Sequence, residues 1–357
     1  MLYHGFVNEQ KEKPWILERQ LDELKAELSA AGFRGFVARQ VFQWVYHKNN
    51  QDPASWSNIA KAERGRLAEL YDWRPLPVLA RQDDGAGTRK LLFGLRDPLQ
   101  VEAVLIPEKG RYTLCLSSQA GCPLGCAFCA TGAMGFRRDL TAGEIVSQIL
   151  SLKRELGEYS GRLNLVFMGM GEPLLNYGSV ARALRLAIDP DGLNISPRHV
   201  TVSTAGILDG LERLERDFPQ VKIAFSLNAP DPQLRAELMP ISRRHGLETL
   251  LAHFRGRRLR QRITFEYVLL AGVNDSPAQA RQLARLLHGI PAKINLIPFN
   301  PSPGLRFRRP DEAAVEAFRA VLLDKGMTVV TRWSKGQGIR SACGQLATGE
   351  IRRPGGR

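Results

Sequence analysis

The sequence predicts an α/β protein, a partial (β/α)6 barrel preceded by a small helical N-terminal accessory domain. Two patterns in the 357 residues carry that prediction. From Tyr112 onward, short apolar runs suited to strands alternate with stretches of helical periodicity, which is how a parallel sheet with crossover helices is written. Before that point apolar residues recur three and four apart, as on one face of a helix. The two patterns divide the chain into residues 1–90 and 91–357.

In the leading module, Leu21, Leu24, Leu28 and Phe33 form one amphipathic stripe. Phe36, Val41, Phe42, Val45 and Tyr46 form a second, rich in aromatics. A third helix is expected over 59–71, with the exit at 72–77, and β-like runs at 90–95 and 101–106 lead to another at 112–117. Barrel strands are then expected at 163–168, 199–204, 222–227, 263–269, 293–299 and 327–333. Helices are expected near 142–156, 179–188, 207–215, 277–288 and 311–323. In barrels of this kind reactive groups gather at the carboxyl ends of strands. A cysteine-rich loop comes after the first strand, residues 169–173 after the second, Ser203 and Thr204 end the third, 226–228 the fourth and 298–300 the sixth. All fall on one rim.

Cys122, Cys126 and Cys129 stand in G-C-P-L-G-C-A-F-C-A, with no fourth cysteine nearby in sequence. Three thiolates on one tight loop can hold three corners of a cubane iron-sulfur cluster, where an electron carrier normally uses four. One iron is left open for a ligand with its own donors. Zinc ribbons space their ligands as C-x2-C pairs with a second pair or histidines downstream, and none of the six histidines is so placed. An odd cysteine count and a Cys-x3-Cys spacing also argue against a disulfide framework.

Fifty Lys plus Arg against 36 Asp plus Glu leave a net charge of +14, with basic clusters at Arg255, Arg257, Arg258, Arg260 and Arg262, at Arg306, Arg308 and Arg309, and at Arg352, Arg353 and Arg357. This excess favours a polyanionic partner, most simply nucleic acid. No apolar run reaches membrane-spanning length, and M-L-Y-H-G-F-V-N-E-Q lacks the apolar centre of a secretory signal, so a reduced cytoplasmic setting without membrane partners is expected.

The C-x3-C-x2-C spacing with Met170-Gly171-Glu172-Pro173 downstream resembles the signature of radical S-adenosylmethionine enzymes. That resemblance implies a 4Fe-4S cluster on Cys122, Cys126 and Cys129, whose open iron is chelated by S-adenosylmethionine. The cofactor must then be gripped by its amino group, ribose and adenine. Gly171 permits close backbone approach, Glu172 offers a carboxylate to the ammonium, and Ser203, Ser226 and Asn300 add hydrogen-bonding groups on the same rim.

Longer motifs narrow the resemblance. C-L-S-S-Q-A-G-C-P-L-G-C-A-F-C-A-T-G, M-G-M-G-E-P-L-L-N, I-N-L-I-P-F-N-P and A-C-G-Q-L together resemble the RlmN/Cfr family of radical-SAM RNA adenosine methyltransferases, and F-R-G-F-V-A-R-Q-V-F-Q-W-V-Y-H-K resembles its accessory domain. The resemblance implies the radical-SAM form of the barrel and roles for the other two cysteines. Cys343 would be methylated on sulfur, lose a hydrogen from that methyl to a 5′-deoxyadenosyl radical, and add to an electron-poor adenine carbon. Cys115 would then attack the Cys343 sulfur and free the methylated base, leaving a disulfide. Glu102 matches the family's base. The family pattern S-L-H-A-P is here Ser226-Leu227-Asn228-Ala229-Pro230, where asparagine can still donate and accept. The segment before Cys343 is W-S-K-G-Q-G-I-R-S-A-C, with Lys335 and Arg340 where the family is rich in aspartate.

The resemblance thus implies methylation at carbon 2 of an adenosine in 23S ribosomal RNA near the peptidyl-transferase centre, with an anticodon-loop adenosine of transfer RNA as an open second substrate. An electron donor such as flavodoxin or ferredoxin is implied as a further partner. Methylation at carbon 8, as in the Cfr branch, is the nearest alternative, and 135–138 (G-F-R-R) with the long leading module lean toward the first. A radical enzyme acting on a small molecule or a protein glycine would have no use for Cys343 or the charge. An electron-transfer protein would not cleave S-adenosylmethionine.

Overall fold

The computed structural model of the protein describes residues 13–157, 161–255, 262–333 and 335–348. Arg257, Arg258, Arg260, Arg352, Arg353 and Arg357 of the basic clusters lie outside the described residues.

Helices α1 (Leu21–Ala30), α2 (Gly35–Phe42) and α3 (Lys61–Leu70) build the leading module. The two stripes bury as expected, with Leu24, Leu28, Val41, Phe42, Val45 and Tyr46 all inaccessible; only Phe36 turns outward, beneath the guanidinium of Arg34. Trp56 meets Trp73 edge-on at 5.2 Å. The module is fastened to the barrel helices by a bidentate pair between Arg182 and Glu23 (2.8 and 2.9 Å) and by Asn49 donating to the carbonyl of Leu150 at 2.8 Å.

Strands β1 (Val78–Asp83), β2 (Arg89–Gly94), β3 (Gln100–Glu108) and β4 (Arg111–Cys115) run antiparallel in succession. β1 escapes prediction because it is an edge strand exposed along its length. Pairing with β2 holds it, and no apolar alternation is needed to do so. A short hairpin of β5 (Gln119–Gly121) and β6 (Phe136–Asp139) then encloses the cysteine loop and α4 (Ala130–Ala133).

The remaining chain alternates as α5 (Ala142–Arg154), β7 (Arg162–Phe167), α6 (Tyr177–Ile188), β8 (Val200–Thr204), α7 (Leu208–Asp217), β9 (Lys222–Ser226), α8 (Pro232–Leu238), α9 (Leu247–Phe254), β10 (Ile263–Leu269), α10 (Pro277–Leu286), β11 (Ala292–Pro298), α11 (Glu312–Asp324) and β12 (Thr328–Thr331). Among the described residues β1-β2-β3-β4-β7-β8-β9-β10-β11-β12 form one sheet, parallel from β4 onward and unclosed at its ends. This is the expected partial barrel with β12 added at its edge. Phe225, Phe254 and Phe265 cluster edge-to-face behind the sheet at 5.5 to 5.9 Å. With that face filled, the polar ends of the strands are left to one rim.

Candidate active site

Cys122, Cys126 and Cys129 sit on the turn between β5 and α4, and all three line one cavity at the carboxyl ends of the strands. The loop is pinned at both ends. The Cys122 amide donates to the carbonyl of Gly135 at 3.1 Å, and the Cys129 amide to that of Cys126 at 3.1 Å. Gly121, at φ +76°, lies so close to the Gly135 carbonyl that any side chain would collide with it. Burial pushes the Cys122 thiol up to about 12 and the Cys126 thiol well above its ordinary range, with the neighbouring cysteines adding to both. Three thiols crowded this way ionise only beside compensating positive charge, which is what iron supplies. Among the described residues no three His, Cys, Asp or Glu side chains are grouped around one point to hold a single metal ion. A cubane, with its irons set apart, does not ask that of its thiolates, so the donor set fits the cluster.

The opposite wall brings together Gly171, Glu172, Ser203, Ser226 and Asn228. Gly171 has φ +101°, and a Cβ there would come within 2.6 Å of the Gln119 side chain. The Glu172 carboxylate accepts from the amides of Leu174 (3.1 Å) and Ala205 (2.8 Å), yet burial still raises its pKa to about 7. Asn228 adopts φ +60°, a region asparagine tolerates better than most residues. Its Oδ1 accepts from the Val268 amide at 2.8 Å and its Nδ2 reaches the Met239 sulfur at 3.2 Å. Leu227 is fully buried and does not line the cavity. Nor does Asn300: its Nδ2 donates to the carbonyl of Cys343 at 3.3 Å and its Oδ1 accepts from Arg309 at 2.8 Å, so it positions the Cys343 loop.

Two residues of this region, one in the wall and one beneath it, were not legible in the sequence. Glu266, in register with Ser226, lines the cavity with Oε1 held by Asn295 at 2.9 Å and Oε2 buried without a hydrogen-bond partner. Such an orphan acceptor fits a ligand that brings donors, as the ammonium and hydroxyls of S-adenosylmethionine would. A carboxylate amid the apolar run I-T-F-E-Y-V-L was the available signal. Arg235 is fully buried and donates to the carbonyls of Leu227 (3.0 Å), Ala205 (2.8 Å) and Ser226 (3.0 Å) and to the hydroxyl of Ser242 (2.6 Å). Its guanidinium ties the ends of β8 and β9 together beneath the cavity. Burial lowers its pKa to about 10, which leaves it charged at neutral pH.

Arg235→Met should therefore preserve volume while leaving these carbonyls without donors, and each stranded acceptor costs about 1–3 kcal/mol. The expected loss is on the order of 3 kcal/mol or more, read as a lower urea midpoint. An unchanged midpoint would mean that the carbonyls find other donors.

Glu172 makes a pH prediction for the ligand-free protein. With its folded pKa near 7 against an ordinary 4.5, the folded state binds the proton more tightly than the unfolded chain. Stability should fall as pH rises through that window, by an amount on the order of 3 kcal/mol. Glu172→Gln should flatten the decline and gain stability at pH 8, as measured by denaturation at pH 5 and 8; an equal slope in both proteins would contradict it.

Cys343 lines the cofactor-sized cavity and also a second one, which it shares with Cys115, Arg332 and Trp333. Cys115 ends β4, where Leu116 continues to pair with Val166 at 2.9 Å. The Cys343 loop is stitched to the cysteine loop, the Ala130 amide donating to the Gly344 carbonyl at 2.8 Å and the Thr131 hydroxyl to that of Leu346 at 2.6 Å. Burial pushes the Cys115 thiol up to about 12 and raises that of Cys343, with Arg332 opposing both. All five cysteines are free thiols, so the Cys115–Cys343 disulfide implied by the resemblance is not present in this structure. Glu102 lines neither cavity. Its carboxylate pairs with Lys90 at 2.8 Å and accepts from the Ala347 amide at 3.0 Å, while burial raises its pKa against that partner. Lys90 in turn donates to the Arg340 carbonyl at 3.4 Å, so this pair anchors both sides of the Cys343 loop.

No helix among the described residues is long and apolar enough to cross a membrane. The profile of the Radical SAM superfamily matches residues 116–284, and that of the ribosomal RNA large subunit methyltransferase N-terminal domain matches residues 16–72. The chain is 49% identical over 328 residues to a dual-specificity RNA methyltransferase RlmN of Syntrophobacter fumaroxidans, covering 91% of this chain and 96% of that one. It is 46% identical to the RlmN of Pelobacter propionicus, covering 94% and 96%. A radical SAM methyltransferase from Sphaerobacter thermophilus superposes with a TM-score of 0.89 at 41% identity, over 93% of this chain and 99% of that one. The cysteine loop, the strand-end cradle and Cys343 are thus set within a known architecture, and the chain belongs to the RlmN family of radical-SAM RNA methyltransferases.

Proposed function

We propose that the protein methylates carbon 2 of an adenosine in 23S ribosomal RNA at the peptidyl-transferase centre, with an anticodon-loop adenosine of transfer RNA as a second substrate, through a methylated Cys343. The observation that carries this reading is that Cys343 lines both the cavity of the three-cysteine loop and the cavity of Cys115. One sulfur can therefore take its carbon on one side and hand it over on the other.

In this reading Cys122, Cys126 and Cys129 would hold a 4Fe-4S cluster, and Gly171, Glu172, Ser203, Ser226 and Asn228 would cradle S-adenosylmethionine, with Leu227 buried behind them and Asn300 positioning the Cys343 loop. When bound, one S-adenosylmethionine would supply the methyl carbon, and a second, reduced through the cluster by a flavodoxin- or ferredoxin-like donor, would supply a hydrogen-abstracting carbon radical. The chain's own residues do the rest. Asn300 and the Gly344–Ala130 bond fix the Cys343 sulfur, which carries the carbon to the ring. Adenine carbon 2 is too electron-poor to attack a methyl cation equivalent, so a sulfur-borne carbon must add to it. Glu102 removes the ring proton, and reaching it requires the anchor with Lys90 and Ala347 to open. Once the adduct has also given up one electron to the redox group that the loop would hold, the Cys115 thiolate displaces the base from Cys343: the S–S bond forms as the C–S bond breaks, and the electron pair left on the methylene carbon takes up a proton to complete the methyl group. Residues 1–90 act as the accessory RNA-binding domain, and a cytoplasmic setting supplies RNA and reductant.

The test is mass spectrometry of RNA from cells with and without the protein, mapping which adenosine gains a methyl group and on which carbon. Methyl groups at carbon 2 that vanish with the gene support the proposal. Methylation at carbon 8, or none, overturns it.

A further inference from the structure

Of the five tryptophans, Trp15, Trp44, Trp56 and Trp73 belong to the leading module. Trp15, Trp56 and Trp73 are buried, and Trp44 stacks on Trp56 at 6.2 Å with the rings 10° from parallel. Trp333 alone stands on the barrel rim, just past β12, and remains 48% exposed. An indole left half in water forgoes much of the burial that normally repays its size. It lines the same cavity as Cys115 and Cys343, between Arg332 and Lys335. Lys335 reaches across to the Pro107 carbonyl, which ties this segment to β3 at the cavity's far wall.

A base methylated by Cys343 must leave its own stack to come within bonding distance of the sulfur, and the lost stacking has to be replaced. A flat aromatic face beside the two thiols can replace it, because every base offers a π-face. Lys335, exposed on the same cavity, suits a flanking phosphate. We infer that Trp333 is the stacking wall for the extruded target adenine, a specificity-determining residue of this chain; the inference rests on the RNA-adenine reading above.

A double-mutant cycle tests it. The holoprotein with S-adenosylmethionine and no reductant is titrated by fluorescence anisotropy with an end-labelled hairpin spanning the proposed 23S adenosine, and with the same hairpin bearing an abasic ribose there. The wild-type protein should bind the adenosine hairpin about tenfold more tightly than the abasic one. Trp333→Ala should bring that ratio close to one while leaving affinity for the abasic hairpin unchanged, and Trp333→Phe should keep most of it. Methylation of the hairpin by wild-type protein plus reductant is scored in parallel. If the hairpin is methylated but Trp333→Ala discriminates as well as wild type, or wild type does not discriminate, the stacking role falls and the adenine reading stands. If wild type leaves the hairpin unmethylated, the target assignment falls and takes this inference with it.

Discussion

Replacing Cys122, Cys126 or Cys129 by Ala should yield a protein that binds no stable iron-sulfur cluster and forms no detectable 5′-deoxyadenosine. Each thiol supplies one of three corners, and the next cysteine in the cavity, Cys343, is held to a different loop by its Asn300 and Gly344 contacts. Substitution from a neighbour is therefore blocked by backbone geometry. The fold itself should survive, because the loop lies outside the main sheet and its turn is held by Gly121, Gly135 and the β5–β6 pairing. The checks are iron and sulfide content after anaerobic reconstitution and deoxyadenosine release under reductant. Full cluster occupancy in a triple Ala variant would end the assignment.

The parts of the site readable in sequence are those where chemistry demands a residue type. Cys122, Cys126 and Cys129 could be named from spacing, and Gly171 from the need for close approach, because few other residues serve there. Barrel strands were readable where both faces are covered, as in Ile263–Leu269, whose apolar run is nearly continuous. Edge strand β1 was not, since hydrogen bonds rather than burial define it. Arg235 was opaque for a related reason: an arginine in a polar helix sequence normally faces water, and only the convergence of three strand-end carbonyls makes burial tolerable. Asn300 stands at a strand end, and strand-end position does not say whether a side chain points at the cavity or, as here, at the loop above it. For Glu102 the sequence offered position alone, and the Lys90 pairing depends on the β2–β3 register.

Cys115→Ala should trap the enzyme on its RNA. In the proposed sequence of steps the carbon joins adenine to the Cys343 sulfur before any thiol is needed for release, so removing Cys115 leaves addition intact and stalls displacement. The geometry supports a single resolving thiol. Cys115 and Cys343 share one cavity, the Cys115 backbone is locked into β4 between β3 and β7, and the Cys343 loop is stitched to the cysteine loop by Ala130 and Thr131. The remaining cysteines are the three of the loop, which the cluster would occupy. Protein purified from cells should therefore carry RNA that survives denaturation, and turnover should fall by several orders of magnitude. Cys343→Ala, and the double variant, should lose both adduct and methylation because the bridging sulfur is gone. Nuclease digestion and then peptide mass spectrometry should place a modified adenosine on Cys343. A Cys115→Ala protein that methylates RNA at the wild-type rate and carries no adduct would overturn the two-cysteine mechanism while leaving the cluster assignment untouched, since the first depends on the cavity beyond Cys343 and the second on the cavity before it.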